Sequence, residues 1–178
     1  MSTPPERIIK SQPIYSGRIV HFRVDTIELP DGRTTIREIV NTPGAVTIIP
    51  LTDDRQVRMV RQYRSAIGDY LLELPAGTLQ PGERPEEAAP RELAEETGDR
   101  AAHWSYLTSF YTMPGVCNEI IHLFLATGLT SGTTNYDLDE LIEVVTLPLE
   151  RALDMVKSGQ IRDAKTIVGL LMVQMLGT

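Results

Sequence analysis

Residues 75–98, PAGTLQPGERPEEAAPRELAEETG, constrain this chain more than any other stretch. The closing octet RELAEETG is rich in good helix formers, and Gly98 is placed to end the helix in the left-handed conformation that glycine tolerates best. At 100° per residue, Glu92, Glu95 and Glu96 fall within an arc of about 100°, on one side of the helix near its negative C-terminal pole. Like charges at i,i+4, as in Glu92 and Glu96, cost a helix roughly 0.2–0.5 kcal/mol, and the pole adds a penalty of similar order. Arg91 stands i,i+4 from Glu95 and can pair with it, which leaves Glu92 and Glu96 unmatched. Two readings follow from the helix alone. One is a solvated acidic face. The other is a divalent cation that turns repulsion into coordination, since hard Mg²⁺ favours carboxylate oxygens and keeps waters for phosphates to displace. In the preceding loop, Gly77 and Gly82 let the backbone fold closely, so Pro75-Ala76-Gly77 can offer carbonyls and amides to a metal–phosphate centre. Read alone, the same loop is an ordinary strand-to-helix connection.

The rest of the chain narrows the class. With 178 residues and 42% hydrophobic content it fits one globular domain, with at most a small extension. A net charge of −7 without clustered cations argues against a broad grip on nucleic acid or anionic membrane. The single Cys117 excludes an internal disulfide, and His21, His103 and His122 lack zinc-ligand spacing. No window reaches the ~20 apolar residues of a membrane span, and MSTPPERIIK does not read as a signal peptide, so a soluble cytoplasmic protein is expected.

The first half is mostly β. Strands are expected in RIIKSQPIY, RIVHFRVDTIEL, TTIREIV and AVTIIPL, with PDGR (30–33) as a hairpin turn. A shift of apolar parity between Val24 and Ile27 predicts a bulge or bend in the second of these. QVRMVRQY and DYLLELP follow as strands, then a loop AGTLQPGERP, then the acidic helix, in which Pro90 should cause a kink. WSYLTSFYT and EIIHLFLAT read as strands joined by MPGVCN. A polar loop over about 128–136 runs into the acidic DLDE (137–140), and helices are expected near 148–158 and 163–176. This order implies a mixed sheet with helices packed on it.

From Gly77, the run GTLQPGERPEEAAPRELAEETGD resembles the Nudix box, G-x5-E-x7-R-E-U-x-E-E-x-G-U with U aliphatic, at every fixed position; only the last U fails, at Asp99. A pattern this long at strict spacing is far more specific than a lone glycine motif. The resemblance implies an α/β fold, the α/β/α sandwich with a mixed β-sheet, preceded here by a β-rich N-terminal extension. The expected division is 1–41 for the extension, a candidate dimerisation region, and 42–178 for the hydrolase domain. It implies cleavage of nucleoside diphosphates linked to another moiety, with Mg²⁺ or Mn²⁺. Carried onto matching positions, Glu92, Glu96 and the carbonyl of Ala76 are the implied metal ligands. Glu95 matches the middle acid, which sits near the metals or orients their ligands. Gly77, Glu83 and Arg91 match supporting positions, with Arg91 holding an acid in place.

Outside the box, RQYRSAIGDYLLELPAG and YTMPGVCNEIIHLFLATGL resemble the ADP-ribose pyrophosphatase branch, as does Pro114, sixteen positions after Gly98. By that resemblance Arg64 holds a diphosphate oxygen, Glu73 lines the substrate or metal site, and Arg37 reaches the nucleoside end. The branch commonly supplies two acids, separated by one residue, from the loop after the second downstream strand. If Glu140 is the second, and a metal ligand, the first falls on Leu138, so Asp139, Asp137 or Glu95 is left as the proton acceptor. Asp139 and Glu140 are expected to close over the metals. The implied reaction gives AMP and a sugar phosphate from ADP-ribose or a related nucleoside diphosphate sugar. A GDP-mannose-type or broad nucleotide-sugar pyrophosphatase shares the same box, and a sensor that binds ADP-ribose without cleaving it is the rival from another class. The branch also implies a homodimer whose N-terminal strands help complete the partner's nucleotide pocket.

Overall fold

The computed structural model describes residues 5–132 and 142–177, and the chain divides into two units, 1–44 with 111–120 and 45–110 with 121–178. In the first, β1 (Arg7–Ser16), β2 (His21–Glu28) and β3 (Thr34–Asn41) form an antiparallel sheet in that order. The β2–β3 turn closes where PDGR predicts it, with Leu29 N–H donating to Arg33 O at 2.8 Å and Gly32 N–H to Leu29 O at 2.9 Å. The expected bulge lies across the ladder from its predicted place. The β2–β3 register is unbroken, and the irregularities fall in β1, between Ile8 and Lys10 and between Pro13 and Tyr15. Asp25, 1% exposed, accepts hydrogen bonds from Ser11 and Arg23, which hold its carboxyl below the usual range against the opposing effect of burial. Residues 111–120 join this unit through Val40, whose N–H donates to Val116 O at 2.8 Å. A cavity of about 450 Å³ here is lined by Arg23, Asn41, Tyr111, Pro114 and Cys117, among others.

The second unit is built on alternation. β4 (Ala45–Pro50) runs parallel to β9 (Ile120–Ser131) and antiparallel to β7 (Ala76–Thr78), in a mixed sheet of order β7-β4-β9-β8, with β8 spanning Asp99–Tyr111. Side chains of even number, Val46, Ile48, Phe124 and Ala126, pack with Ala88, Ala89 and Leu93 of helix α1 (Pro85–Thr97). Those of odd number, Ile49, Leu123 and Leu125, pack with Leu149, Ala152 and Leu153 of α2 (Leu149–Lys157) and Leu170 and Val173 of α3 (Ala164–Leu176). A two-residue period thus buries both faces of one sheet under helices, the expected mixed α/β sandwich. A second sheet, β10-β5-β6, comprises β10 (Ile142–Pro148), β5 (Gln56–Arg64) and β6 (Asp69–Glu73), all antiparallel.

Several expectations need correction. The loop AGTLQPGERP begins with a strand, β7, because Ala76, Gly77 and Thr78 pair with Thr47, Val46 and Ala45. The stretch after DLDE, for which the sequence predicts no element, is β10, paired with β5 from Ile142↔Gln62 to Pro148↔Gln56. β9 runs on to Ser131, into what reads as polar loop, and β8 begins at Asp99 rather than Trp104. Pro90 does not interrupt α1. It is exposed, so its missing N–H leaves only the carbonyl of Glu86, also exposed, to water. Among the described residues no helix is long and apolar enough to cross a membrane.

Candidate active site

Pro85 opens α1 with its φ preset for a helix, and Glu87 reaches back to the backbone N–H of Arg84 at 3.2 Å. Gly98, at φ 72°, ends it by returning its N–H to Ala94 O at 3.0 Å. Between these caps the last turns present their acids to the β7 strand. Glu92 is 8% exposed and Glu96 4%, so neither is part of a solvated face.

The β7 corner receives both. Ala76 N–H donates to Glu96 Oε2 at 3.0 Å. Gly77 lies flat against the carboxyl of Glu92, and a Cβ there would collide with its carbon and both oxygens. Only glycine leaves room for the acid to meet the backbone. Arg91 organises the other side. Its Nε and Nη2 donate to the two oxygens of Glu83, each at 2.8 Å, while Nη1 donates to Glu92 Oε1 at 2.7 Å and Glu95 Oε2 at 2.9 Å. Glu83 also accepts from Gln80 N–H at 2.9 Å. The bonds from Arg91 keep the Glu83 carboxyl below the usual range, and those to Glu83, followed by the charge of Glu92, keep Arg91 protonated. The i,i+4 pairing with Glu95 holds, but the expectation that Glu92 and Glu96 stay unmatched does not: the guanidinium reaches Glu92, and the β7 backbone reaches Glu96.

Glu73, at the end of β6, is 1% exposed and pairs with Arg64 at 2.8 Å and 2.6 Å through both carboxylate oxygens. Lys165 of α3 also pairs with it. Burial is the largest influence on this carboxyl and pushes it up, but the bonds from Arg64 and the charge of Lys165 outweigh it and hold the group ionised. Hydrogen bonds to Glu73, followed by the charges of Glu73, Glu96 and Asp163, keep Arg64 protonated against burial. Asp99, at the failed aliphatic position, is 1% exposed and faces Arg58, with Oδ2 and Nε 3.1 Å apart. The position that the motif gives to an aliphatic residue thus holds a buried carboxylate facing a guanidinium.

The second unit therefore gathers Ala76, Gly77, Glu83, Arg91, Glu92, Glu95 and Glu96, and it also holds the Arg64–Glu73 pair. Arg37 belongs to the other unit, on β3, where it pairs with Glu6. Asp137, Leu138, Asp139 and Glu140 lie outside the described residues. Sequence reasoning missed Lys165, Asp163 and Thr166. The N-cap pattern of Asp163 was readable, but only folding brings Lys165 to Glu73, 92 residues away.

The donors are all oxygen, which suits a hard divalent cation. Among the described residues no cluster of three acidic, His or Cys side chains forms a ready-made cage. Mg²⁺ does not ask for one: it commonly takes one or two carboxylates and completes its shell with water and substrate phosphates. Glu92, Glu96 and the Ala76 backbone fit that demand.

The chain matches the NUDIX domain over residues 41–168 and the nucleoside diphosphate sugar hydrolase N-terminal domain over residues 6–40. It is 42% identical over 172 residues to the methanol dehydrogenase activator of Bacillus methanolicus, covering 96% of this chain and 93% of that protein. Over 177 residues it is 41% identical to the ADP-ribose pyrophosphatase of Bacillus subtilis (strain 168), covering 98% and 96%. A crystal structure of an ADP compounds hydrolase superimposes with a TM-score of 0.88 at 25% identity, covering 99% of this chain and 96% of that one. The domain match takes in the Gly77 corner and the acidic helix together, over most of the sequence, and so the chain belongs to the NUDIX family.

Proposed function

We propose that this chain hydrolyses the diphosphate linkage of ADP-ribose or a related nucleoside diphosphate sugar, giving AMP and a sugar phosphate. The observation that carries this reading is the meeting of the Glu92 and Glu96 carboxylates with the backbone of Gly77 and Ala76. Glu92, Glu96 and the Ala76 carbonyl would hold Mg²⁺ or Mn²⁺, with Glu140 as a further ligand. A bound divalent cation supplies Lewis acidity toward the phosphoryl oxygens and lowers the pKa of bound water. Arg64 grips a diphosphate oxygen with its planar fork, Glu73 lines the site as its counter-ion, and Arg37 serves the nucleoside end. The oxygen of a water adds to one phosphorus, and the bond from that phosphorus to the bridging oxygen breaks, so that the bridging oxygen leaves with the other product. One proton of the water passes to a carboxylate, Glu95 or an acid of the 137–140 stretch. Residues 1–41 form the dimerisation region of a homodimer, a reading supported by the exposed Ile8, Ile9, Ile14 and Tyr15 of β1.

Incubation with ADP-ribose and Mg²⁺, with GDP-mannose in parallel, tests the reaction by analysis of phosphate-containing products. AMP and ribose phosphate from ADP-ribose are expected, with slower turnover of GDP-mannose. Faster turnover of GDP-mannose would move the preference to that substrate, and no AMP with any divalent cation would favour binding without cleavage.

A further inference from the structure

The Arg64–Glu73 pair poses a problem for the reading above, on which this inference rests. Arg64 donates Nε and Nη2 to Glu73, which leaves Nη1 and the second Nη2 proton for a diphosphate but a single positive charge for both anions. A diphosphate that draws on this charge, with no other cation beside Glu73, would leave a buried carboxylate under-compensated and cancel much of what the phosphate contact gains. The site needs a second cation that stays.

Lys165 meets that need. Its side chain is 14% exposed, against 38% for Arg64, so of the two cations on Glu73 the lysine is the enclosed one. It is also anchored, pairing with Asp163 at 3.0 Å as well as with Glu73. Asp163 caps α3 by accepting from Thr166 N–H at 3.0 Å and from the Thr166 hydroxyl at 2.6 Å, and the hydroxyl oxygen accepts from Leu74 N–H at 2.8 Å. One turn, Asp163-Ala164-Lys165-Thr166, thus grips Glu73 and Leu74, next in sequence to the Pro75-Ala76-Gly77 corner. Arg64 has the outward position and the planar fork suited to phosphate.

We infer that Lys165 is a positioning residue: it remains on Glu73 as the permanent counter-ion and so leaves the charge and terminal edge of Arg64 to the diphosphate of the substrate. Lys165 touches no substrate atom and acts only through Glu73 and Arg64.

The test is Lys165→Met made in the full chain, alone and in a Glu73→Gln background, with KM and kcat for ADP-ribose measured in Mg²⁺. ADP-ribose binding by the metal-free protein is measured by calorimetry on the same variants, and melting temperatures confirm folding. With Glu73 present, Lys165→Met should raise KM, and weaken metal-free binding, at least about tenfold, with kcat within about threefold. With Gln at position 73 there is no charge to strand, so the same change should alter both by less than about twofold. Lys165→Arg, which keeps the charge, should recover most of the affinity and covers the case in which the methionine variant does not fold. An equal loss in both backgrounds would mean direct substrate contact or general damage and would overturn the inference, as would an unchanged KM in the first. Absent turnover of wild type with the binding pattern intact would refute the proposed reaction and leave the role of Lys165 standing; turnover without the pattern does the reverse. Absence of both would refute both.

Discussion

Replacing Glu96 with Gln is expected to lower kcat/KM for ADP-ribose by at least about 100-fold, more than the 10–100-fold typical of losing a residue that only supports a metal ligand. The amide keeps the shape and can still accept the Ala76 N–H, so the bond that ties α1 to β7 survives. What goes is the charge that balances a cation next to phosphate oxygens. The variant should therefore melt near the wild-type temperature, and raising Mg²⁺ should recover part of the rate. Initial rates over a Mg²⁺ series, beside a melting curve, check both. A rate near wild type would remove Glu96 from the ligand set.

Arg91→Met should be nearly as damaging for a different reason. One guanidinium holds Glu83, Glu92 and Glu95 at once, so its removal takes a partner from three acids in one step. A loss of about 10–100-fold in kcat/KM is expected, with a weaker response to added Mg²⁺ than in the Glu96 variant, because position as well as charge is lost. The variant also carries a pH signature. Arg91 keeps the Glu83 carboxyl below its ordinary value. A group depressed on folding contributes stability above its unfolded pKa, about 4.3 for Glu, and loses that contribution as pH falls through the folded value. The gap in melting temperature between wild type and Arg91→Met should be full at neutral pH and narrow below about pH 4. Melting curves across that range check the sign, and a gap that widens on acidification would contradict the pairing.

Much of this site is legible in the sequence because its parts are local. Helical spacing alone places Glu92, Glu95 and Glu96 together, and Gly98 marks where their helix ends. The wheel hides what Arg91 does. Adjacent positions on a helix do not face each other, so its bond to Glu92 depends on the reach of a long side chain, and its fork on Glu83 depends on how the loop before the helix folds. β7 is illegible for another reason. In Ala-Gly-Thr only Thr78 favours a strand, and the segment becomes one by pairing with β4. In β10 the residues Ile142, Val144 and Val145 do favour a strand, but intermediate burial along both of its faces blurs the alternation that would announce it. Asp99 breaks the motif pattern in sequence, and only the fold reveals Arg58 beside it. The grip of Lys165 on Glu73 is wholly a product of topology, since α3 reaches β6 from the far end of the chain.

The proposed function rests on two carboxylates one helical turn apart, facing the Ala76–Gly77 corner, as the holders of a divalent cation. Calorimetric titration of metal-free protein with Mn²⁺, for wild type and for the double variant Glu92→Gln, Glu96→Gln, measures this without any substrate. Saturable binding by wild type is expected, with its loss in a double variant that still folds; equal Mn²⁺ binding by the two proteins would contradict the assignment of these ligands.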